Sequence, residues 1–117
     1  MSKYLSINQR KLLRQHKYIF KKLASASIAD RKKILKNAPI QLFQALGIVF
    51  KILSDDKTEL HGKQAHKIKR YKRFMKSTED LKTSGIKRKL QGQSGGFLGG
   101  LFKVAIPLIS SLFGLNK

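Results

Sequence analysis

Apolar residues recur at helical spacing through most of the first 82 residues. Between residues 5 and 24, the apolar residues fall mostly on one broad face, and lysine and arginine lie outside it. The face comprises Leu12, Tyr18, Ile19, Phe20 and Leu23. Side chains three, four, seven and eight positions apart share one side of an α-helix. The spacing therefore predicts an amphipathic helix that buries this face.

A second, shorter helix is predicted to begin at Ser27. The sequence Ser27-Ile-Ala-Asp30 has the form of a capping box, with Asp in place of the usual Glu or Gln. Asp30 near the start of this segment and Lys36 at its end also suit the helix dipole. The side chains expected to be buried are Ile28, Ile34 and Leu35.

The most apolar part of this region runs from Pro39 to Leu53, with the sequence PIQLFQALGIVFKIL. Proline is favoured at the first helical position, so Pro39 is expected to open the helix. Gly47 in its middle is expected to cost about 1 kcal/mol against alanine and to permit a close helix crossing. We predict that this is the central core helix. Its main apolar face is formed by Ile40, Phe43, Leu46, Val49, Phe50 and Leu53.

Residues 64–76 combine a narrow apolar stripe with dense positive charge. Ile68, Tyr71 and Met75 share one side of the predicted helix, and lysine and arginine cover most of the rest. Residues 84–90, with the sequence SGIKRKL, add a second basic turn.

The final stretch, Gln91–Lys117, differs in character from everything before it. A glycine-rich hinge opens into a nearly uncharged apolar segment, Phe97–Leu115, whose only ionisable residue is Lys103. A flexible joint followed by a long apolar run predicts a separate C-terminal element.

Together these patterns predict an all-α protein. We expect a small bundle of three or four short helices in a basic helical domain, residues 1–82. A basic Gly/Ser-containing linker, residues 83–96, would then lead into a hydrophobic C-terminal segment, residues 97–117, that forms an apolar helix.

Positive charge dominates the composition. The chain carries 26 lysines and arginines against 6 acidic residues, a net charge of +20, and all six acids lie before residue 91. Self-repulsion at this density destabilises a compact state unless a polyanion neutralises it. Acids interspersed among the bases would indicate an ordinary solvated surface, but they are scarce. The composition therefore favours nucleic acid as the partner, ahead of an anionic membrane surface.

The helix predicted around residues 67–76 has the clearest features of a phosphate-binding element. It places six cations within ten residues, and the segment contains no acidic residue that could pair with them. Such a ridge binds polyanions in a strongly salt-dependent way and says little about base sequence. Tyr71 and Phe74 could stack on bases, but at this spacing we expect core residues. The predicted phosphate contacts are Lys67, Lys69, Arg70, Lys72, Arg73, Lys76, Lys87, Arg88 and Lys89.

The sequence holds no arrangement typical of catalysis or metal binding. There is no cysteine, so disulfides and thiolate chemistry are excluded. His61 and His66 are five residues apart, unlike the i, i+4 pairs of helical metal sites, and we expect them and His16 at the surface. The acids form no pair in an apolar setting, and the GGFLGG run is not followed by the Lys-Ser/Thr of a phosphate loop. We therefore predict a protein that is not an enzyme and uses no cofactor or metal.

The apolar tail admits three interpretations. It is just long enough to span a bilayer, and Gly96-xxx-Gly100 resembles a helix-dimer motif. It could instead lie in a membrane interface. It could also pack onto the rest of the chain or onto a partner protein. The residues expected to contact a membrane or partner are Phe97, Leu98, Leu101, Phe102, Ile106, Ile109, Leu112 and Phe113.

The basic run and the tail together resemble a known viral family. The stretch KRKLQGQSGGFLGGLFKVAIPLISSLFG, residues 87–114, resembles the end of the adenovirus small core protein precursors (mu, or protein X). Gly95-Gly96 and Ile106-Pro107-Leu108 occupy the places of that family's Gly-Gly and its isoleucine–proline–leucine centre. The wider layout is similar to small basic virion core proteins of Polinton/Maverick and adintovirus elements, with Ala29–Pro39 ahead of a lysine-rich helix. The chain departs from mu in being lysine-rich and in having residues suited to a folded core.

The resemblance implies processing by an adenovirus-type cysteine protease. That protease's pattern, an aliphatic residue, any residue, glycine and any residue before glycine, is approached by Leu90-Gln91-Gly92-Gln93, with Ser94 where glycine is expected. The Gly-Gly variant of the pattern would use Gln93-Ser94-Gly95-Gly96 and fits less well. The candidate processing residues are Leu90, Gly92, Gln93, Ser94, Gly95 and Gly96.

From the residues and the resemblance, we predict a non-enzymatic virion core or minor capsid protein. It would bind and condense double-stranded viral DNA without strong sequence specificity, in the virion and in the host nucleus. The apolar tail would contact capsid protein or membrane. The alternative is a membrane-active entry protein that acts through the tail, and a cellular helical DNA-binding protein ranks third.

Overall fold

The chain folds into α-helices wherever apolar residues recur at helical spacing. The computed structural model describes residues 6–55, 62–93 and 95–113, and these contain seven helices and no strand. The all-α class is thus confirmed. The helices are α1 (Ile7–Gln15), α2 (Lys17–Ser25), α3 (Ile28–Asn37), α4 (Ile40–Ser54), α5 (Gly62–Lys76), α6 (Thr83–Gln91) and α7 (Gly95–Phe113).

The helix predicted over residues 5–24 is broken in two at His16. This residue ends α1 and precedes α2, with φ −107° and ψ 9°, outside the helical region. Its ring is buried rather than at the surface as predicted, and its Nδ1 lies 2.9 Å from the Leu12 carbonyl oxygen. The described part of residues 1–82 therefore holds five helices, α1 to α5, rather than three or four. The added break explains the difference.

Both predicted and unforeseen caps fix the helix starts. The Ser27 hydroxyl accepts the Asp30 backbone N–H at 3.2 Å, as its sequence indicates. Ser6 and Gln9 form a complete capping box at α1, which the pattern Ser-x-x-Gln could have revealed. Pro39 has extended backbone and lies just before α4, so this helix begins one residue later than expected.

Three residues expected in the core are exposed. Tyr18 is 68% exposed because it lies two positions from buried Phe20, about 200° around the helix. Ile28, 54% exposed, lies at the mouth of a cleft next to buried Leu35, and Ile40, 46% exposed, is the first residue of α4. Residues at a helix end lack a neighbouring turn that could cover them.

α4 is the central helix of the core, as its sequence predicts. α1, α5, α6 and α7 all pack against it. A methyl group at Gly47 would come within 2.8 Å of Ile86 Cδ1, so the predicted close crossing is made with α6. The buried apolar residues of α4 are Leu42, Phe43, Ala45, Leu46, Val49, Phe50, Ile52 and Leu53.

α6 lies within the stretch predicted as a linker. Ile86 and Leu90 are buried, and the Gln91 side-chain amide donates to the Leu35 carbonyl oxygen of α3 at 3.3 Å. Ile86 and Leu90 are four positions apart and give this helix an apolar side, with which it packs on α3 and α4.

The separate apolar C-terminal helix is not confirmed, because α7 belongs to the core. It packs against α2, α3, α4 and α5 and leaves Gly96, Lys103, Pro107 and Ser111 on its exposed side. Its buried side chains are Leu98, Leu101, Phe102, Ala105, Ile106, Leu108 and Ile109. The tail therefore forms part of the hydrophobic core.

Two adjacent glycines let α7 approach its neighbours. A methyl group at Gly99 would lie 3.0 Å from Nη1 of Arg31 in α3, and one at Gly100 would overlap the hydroxyl of Tyr71 in α5. Gly96, by contrast, has open space around it. The glycine pair thus sets how closely α3 and α5 pack on α7.

Aromatic rings connect α4, α5 and α7. The Phe74 ring makes edge contacts with Phe50 of α4 and Phe97 of α7, at centroid distances of 6.1 and 5.1 Å. Tyr71 meets Phe97 in the same manner at 5.4 Å. Contacts of this geometry contribute roughly 0.5–1.5 kcal/mol each beyond the area they bury.

We expect Gly100→Ala to destabilise the protein by about 1–3 kcal/mol, because the added methyl group displaces the rigid Tyr71 ring from a filled core. Chemical denaturation measures this change. The matched control is Gly96→Ala in the same helix, which should be neutral or stabilising by up to about 1 kcal/mol. Equal effects of the two substitutions would contradict the close approach of α5 and α7.

Candidate nucleic-acid interface

α5 separates an apolar stripe from a cationic face. Ile68, Tyr71 and Met75 are buried, as their spacing predicts, and Phe74 is half-buried in the aromatic contacts. The two aromatic side chains are therefore core residues, as expected, and are not available for stacking on bases.

The cations of α5 cover the side that faces solvent. Lys69, Arg73 and Lys76 are three or four positions apart and exposed, which puts them on one side of the helix. Arg70 is exposed at the edge of this face. Lys67 is also exposed but lies two positions from Lys69, about 200° around the helix, and Lys72 is half-buried.

α6 carries the other three predicted phosphate contacts. It packs mainly on α4 and α3 rather than on α5, and only the long Lys89 side chain reaches α5, with its Nζ 5.5 Å from the ring centroid of Phe74. Arg88 is exposed, whereas Lys87 and Lys89 are half-buried. We call the nine predicted contacts of these two helices, Lys67 to Lys89 as listed above, the α5–α6 surface.

Some of these cations also take part in packing. Lys87 Nζ lies 5.6 Å from the ring centroid of Phe43, and the Arg70 guanidinium lies 5.7 Å from that of Tyr71. Long basic side chains can cover apolar surface with their stems while the charged end stays near water. The fully exposed members of the set are thus the better probes of phosphate binding.

Arg31 is a buried cation with a structural role. It is only 3% exposed, its Nε donates to the Leu23 carbonyl oxygen at 2.9 Å, and Nη2 donates to that of Ala26 at 2.6 Å. Both carbonyls belong to the C-terminal end of α2, where the helix dipole favours a positive charge. The arginine therefore ties α3 to the end of α2.

A second group of exposed cations lies outside the predicted phosphate contacts. Lysines of α2 and α3 lie outside the buried faces of these helices, and their spacing outside the apolar positions was already visible in the sequence. They are Lys21, Lys22, Lys32, Lys33 and Lys36, all exposed. We call them the α2–α3 surface.

A cleft of about 380 Å³ opens between α3 and the end of α6. Leu35, Leu90 and Leu98 form apolar walls, and Lys32 and Lys36 line the same cleft. Arg31 also lines it, but its hydrogen bonds to the end of α2 already account for its burial.

Acidic groups are few on the described surface. Asp30, Glu79 and Asp80 are exposed, and Asp55 is half-buried. Within the residues that the structure describes, no three histidine, aspartate or glutamate side chains gather where they could hold a metal ion. His66 is exposed as predicted, and the prediction for His61 lies outside the described residues.

The residues predicted to contact a membrane or partner are mostly in the core. Leu98, Leu101, Phe102, Ile106 and Ile109 are buried, and Phe97 is half-buried. The predictions for the Leu112 and Phe113 side chains lie outside the described positions. Among the helices described, none combines the length and apolar character needed to cross a bilayer.

The candidate processing site spans the end of α6. Leu90 is fully buried, and the Gly92 backbone N–H caps the helix by donating to the Arg88 carbonyl oxygen at 3.0 Å. Gln93 is half-buried and Gly96 exposed, whereas Ser94 and the burial of Gly95 lie outside the described positions. A protease that binds extended chain would have to open the last turn of α6.

Comparison with known proteins gives no relative. No family model, no curated protein and no solved structure matches the chain. The viral resemblance of the tail thus stays a prediction from the sequence.

We expect Arg31→Gln to lower the free energy of unfolding by about 2 kcal/mol, because two hydrogen bonds from a buried charged group are lost. Urea denaturation measures the change. Lys32→Gln, one position away and exposed, is the control and should stay within about 0.5 kcal/mol of the parent. A small effect for both would show that Arg31 is no more structural than its exposed neighbour.

Proposed function

We propose that the protein binds double-stranded DNA without strong sequence preference and neutralises and condenses it. The supporting observation is a folded helical body whose solvent-facing sides carry lysine and arginine on α2, α3, α5 and α6. The proposed role is binding, with no catalytic step and no cofactor.

The net charge is of the same order as that of a duplex segment of similar length. The Cα atoms span 33 Å along the longest axis, and duplex DNA carries one phosphate per about 1.7 Å, so an equal length holds about 19 negative charges. The net charge of the chain is +20. One protein molecule bound to every 33 Å of duplex would thus leave the complex nearly neutral. Neutralisation of this kind lets DNA helices approach one another.

The available groups favour contacts to phosphate over contacts to bases. Phosphate contacts position a protein on DNA but carry no sequence information. The aromatic side chains closest to the α5–α6 surface, Tyr71 and Phe74, are engaged in the core. Binding through this surface would therefore depend mainly on charge.

DNA binding would also reduce the electrostatic repulsion within the protein. Twenty net positive charges within a molecule of 13.0 Å radius of gyration repel one another. A polyanion that binds only the folded state stabilises it by mass action. DNA binding would thus raise the free energy of unfolding, and the folded state would in turn hold the cations in place for the DNA.

The sequence resemblance of the tail suggests where such a protein would act. We propose a virion core or minor capsid role, with viral DNA in the virion and host nucleus as the setting. Contact with capsid protein, contact with a membrane, and cleavage by a viral cysteine protease remain hypotheses that rest on the tail sequence. For the tail to act on a membrane, α7 would have to leave the core that it helps to form.

The α5–α6 surface can be tested by neutralising five of its exposed cations. We choose Lys67, Lys69, Arg70, Arg73 and Arg88, each replaced by Gln, which has a similar helix propensity. If all five contact phosphates, the slope of log K against log [NaCl] should become shallower by up to about 4.5. Fluorescence anisotropy with a labelled duplex at several salt concentrations measures this slope.

A charge-matched variant provides the control for that experiment. Exposed cations elsewhere, Lys11, Arg14, Lys51, Lys82 and Lys103, are replaced by Gln to give the same net charge. This variant should keep a slope closer to that of the parent, and duplexes of unrelated sequence should bind the parent with similar affinity. Failure of the parent to bind duplex at physiological salt would overturn the proposed function. If the two variants have equal slopes and also bind equal amounts of duplex per protein at saturation, the assigned surface is overturned.

A further inference from the structure

The α2–α3 surface and the cations of α5 lie on different sides of α7, whereas α6 packs on both α3 and α4. Gly99 meets Arg31 of α3, whereas Gly100 meets Tyr71 of α5. Adjacent residues of an α-helix point about 100° apart, so α3 and α5 approach α7 from different directions. α2 and α5 also both pack on α7 but share no comparable interface with each other.

The α2–α3 surface is held on a rigid frame. The hydrogen bonds from Arg31 to Leu23 and Ala26 fix α3 against the end of α2. Lys22 and Lys33, from the two helices, line one shallow groove between them. A pair of cations from two joined helices is suited to a phosphate backbone, which presents charges along a line.

The charge of this surface is almost uncompensated among the described residues. Asp30 lines the same shallow groove and is the acid of α3, while Lys32 and Lys36 line the neighbouring cleft. Five exposed lysines thus stand against one exposed carboxylate. This local excess is comparable to that of the five exposed cations chosen on the α5–α6 surface.

We propose that one molecule binds two DNA duplexes at once, one through the α5–α6 surface and the other through the α2–α3 surface. This inference rests on the proposed function and adds that the protein is bivalent. A single short duplex would not reach both the α2–α3 surface and the cations of α5, because DNA is stiff over about 150 base pairs and would have to bend around a body whose Cα atoms span about 30 Å. Two separate duplexes meet both surfaces without bending.

A two-step capture experiment tests bivalency with the full chain. A duplex of about 12 base pairs is immobilised on beads, loaded with protein and washed. A second, labelled duplex of the same length is then offered, and the amounts of protein retained and label captured are both measured. The parent protein should be retained and should capture the second duplex.

Three variants of equal net charge separate bivalency from overall charge. The first has Gln at Lys21, Lys22, Lys32, Lys33 and Lys36, the second has Gln at the five α5–α6 positions, and the third is the scattered control described above. Each of the first two should still be retained through its intact surface but should capture at least about tenfold less label per retained protein. The scattered control should capture within about threefold of the parent.

The outcomes distinguish the two proposals. If the parent protein is not retained on the first duplex, the proposed DNA binding fails. If the parent is retained but captures no second duplex, or if both surface variants capture as much as the scattered control, bivalency is overturned and DNA binding stands. Sedimentation of the soluble complex gives its composition, and two protein copies for each bridged pair of duplexes would also overturn a bivalent monomer.

Discussion

The burial of α7 among strongly basic helices is the interaction on which the rest of this structure depends. Six large apolar side chains of α7 are buried, and full burial of such a side chain contributes about 1.5–3 kcal/mol. Their sum is of the same order as the net stability of a small domain, about 5–15 kcal/mol. The first 90 residues contain 24 of the 26 basic residues and all six acidic residues. The helices formed by this part of the chain therefore carry a large net positive charge and repel one another. Without α7, the remaining helices would lose the apolar contacts that it makes with them, while nearly all of the repulsion between their positive charges would remain.

Much of the fold could be predicted from local sequence. The stripe of Ile68, Tyr71 and Met75, the cap at Ser27 and the central position of α4 all follow from spacing within a single helix. Packing of the tail onto the rest of the chain was one of three interpretations, but composition alone could not decide between them, because an apolar segment has the same composition whether it enters a core, a membrane or a partner. Its docking depends on Gly99 and Gly100 meeting residues about 30 to 70 positions away. The break at His16 was likewise invisible, because helical spacing continues on both sides of it.

The candidate interface was predictable to a similar depth. Periodicity identifies which cations of α5 lie opposite the apolar stripe, since that requires only the helix itself. It does not show that Lys87 and Lys89 lie over aromatic rings of other helices, because those contacts are tertiary. Nor does it distinguish Arg31 from Lys32, two adjacent cations of which one is buried as a helix cap and the other exposed. Counting charges alone would have assigned both to the surface.

The same arrangement couples the interior to the exterior. α7 packs on the apolar sides of α2, α3 and α5, and α6 is covered by α3 and α4. The outward sides of these four helices need no further apolar cover and can therefore all be cationic. Salt or a bound polyanion reduces the repulsion between these faces, whereas release of α7 would remove the frame that holds them apart. A role for α7 outside the core and a role for the folded cationic surfaces therefore exclude each other at any one moment, because the lysines keep their folded arrangement only while α7 is buried.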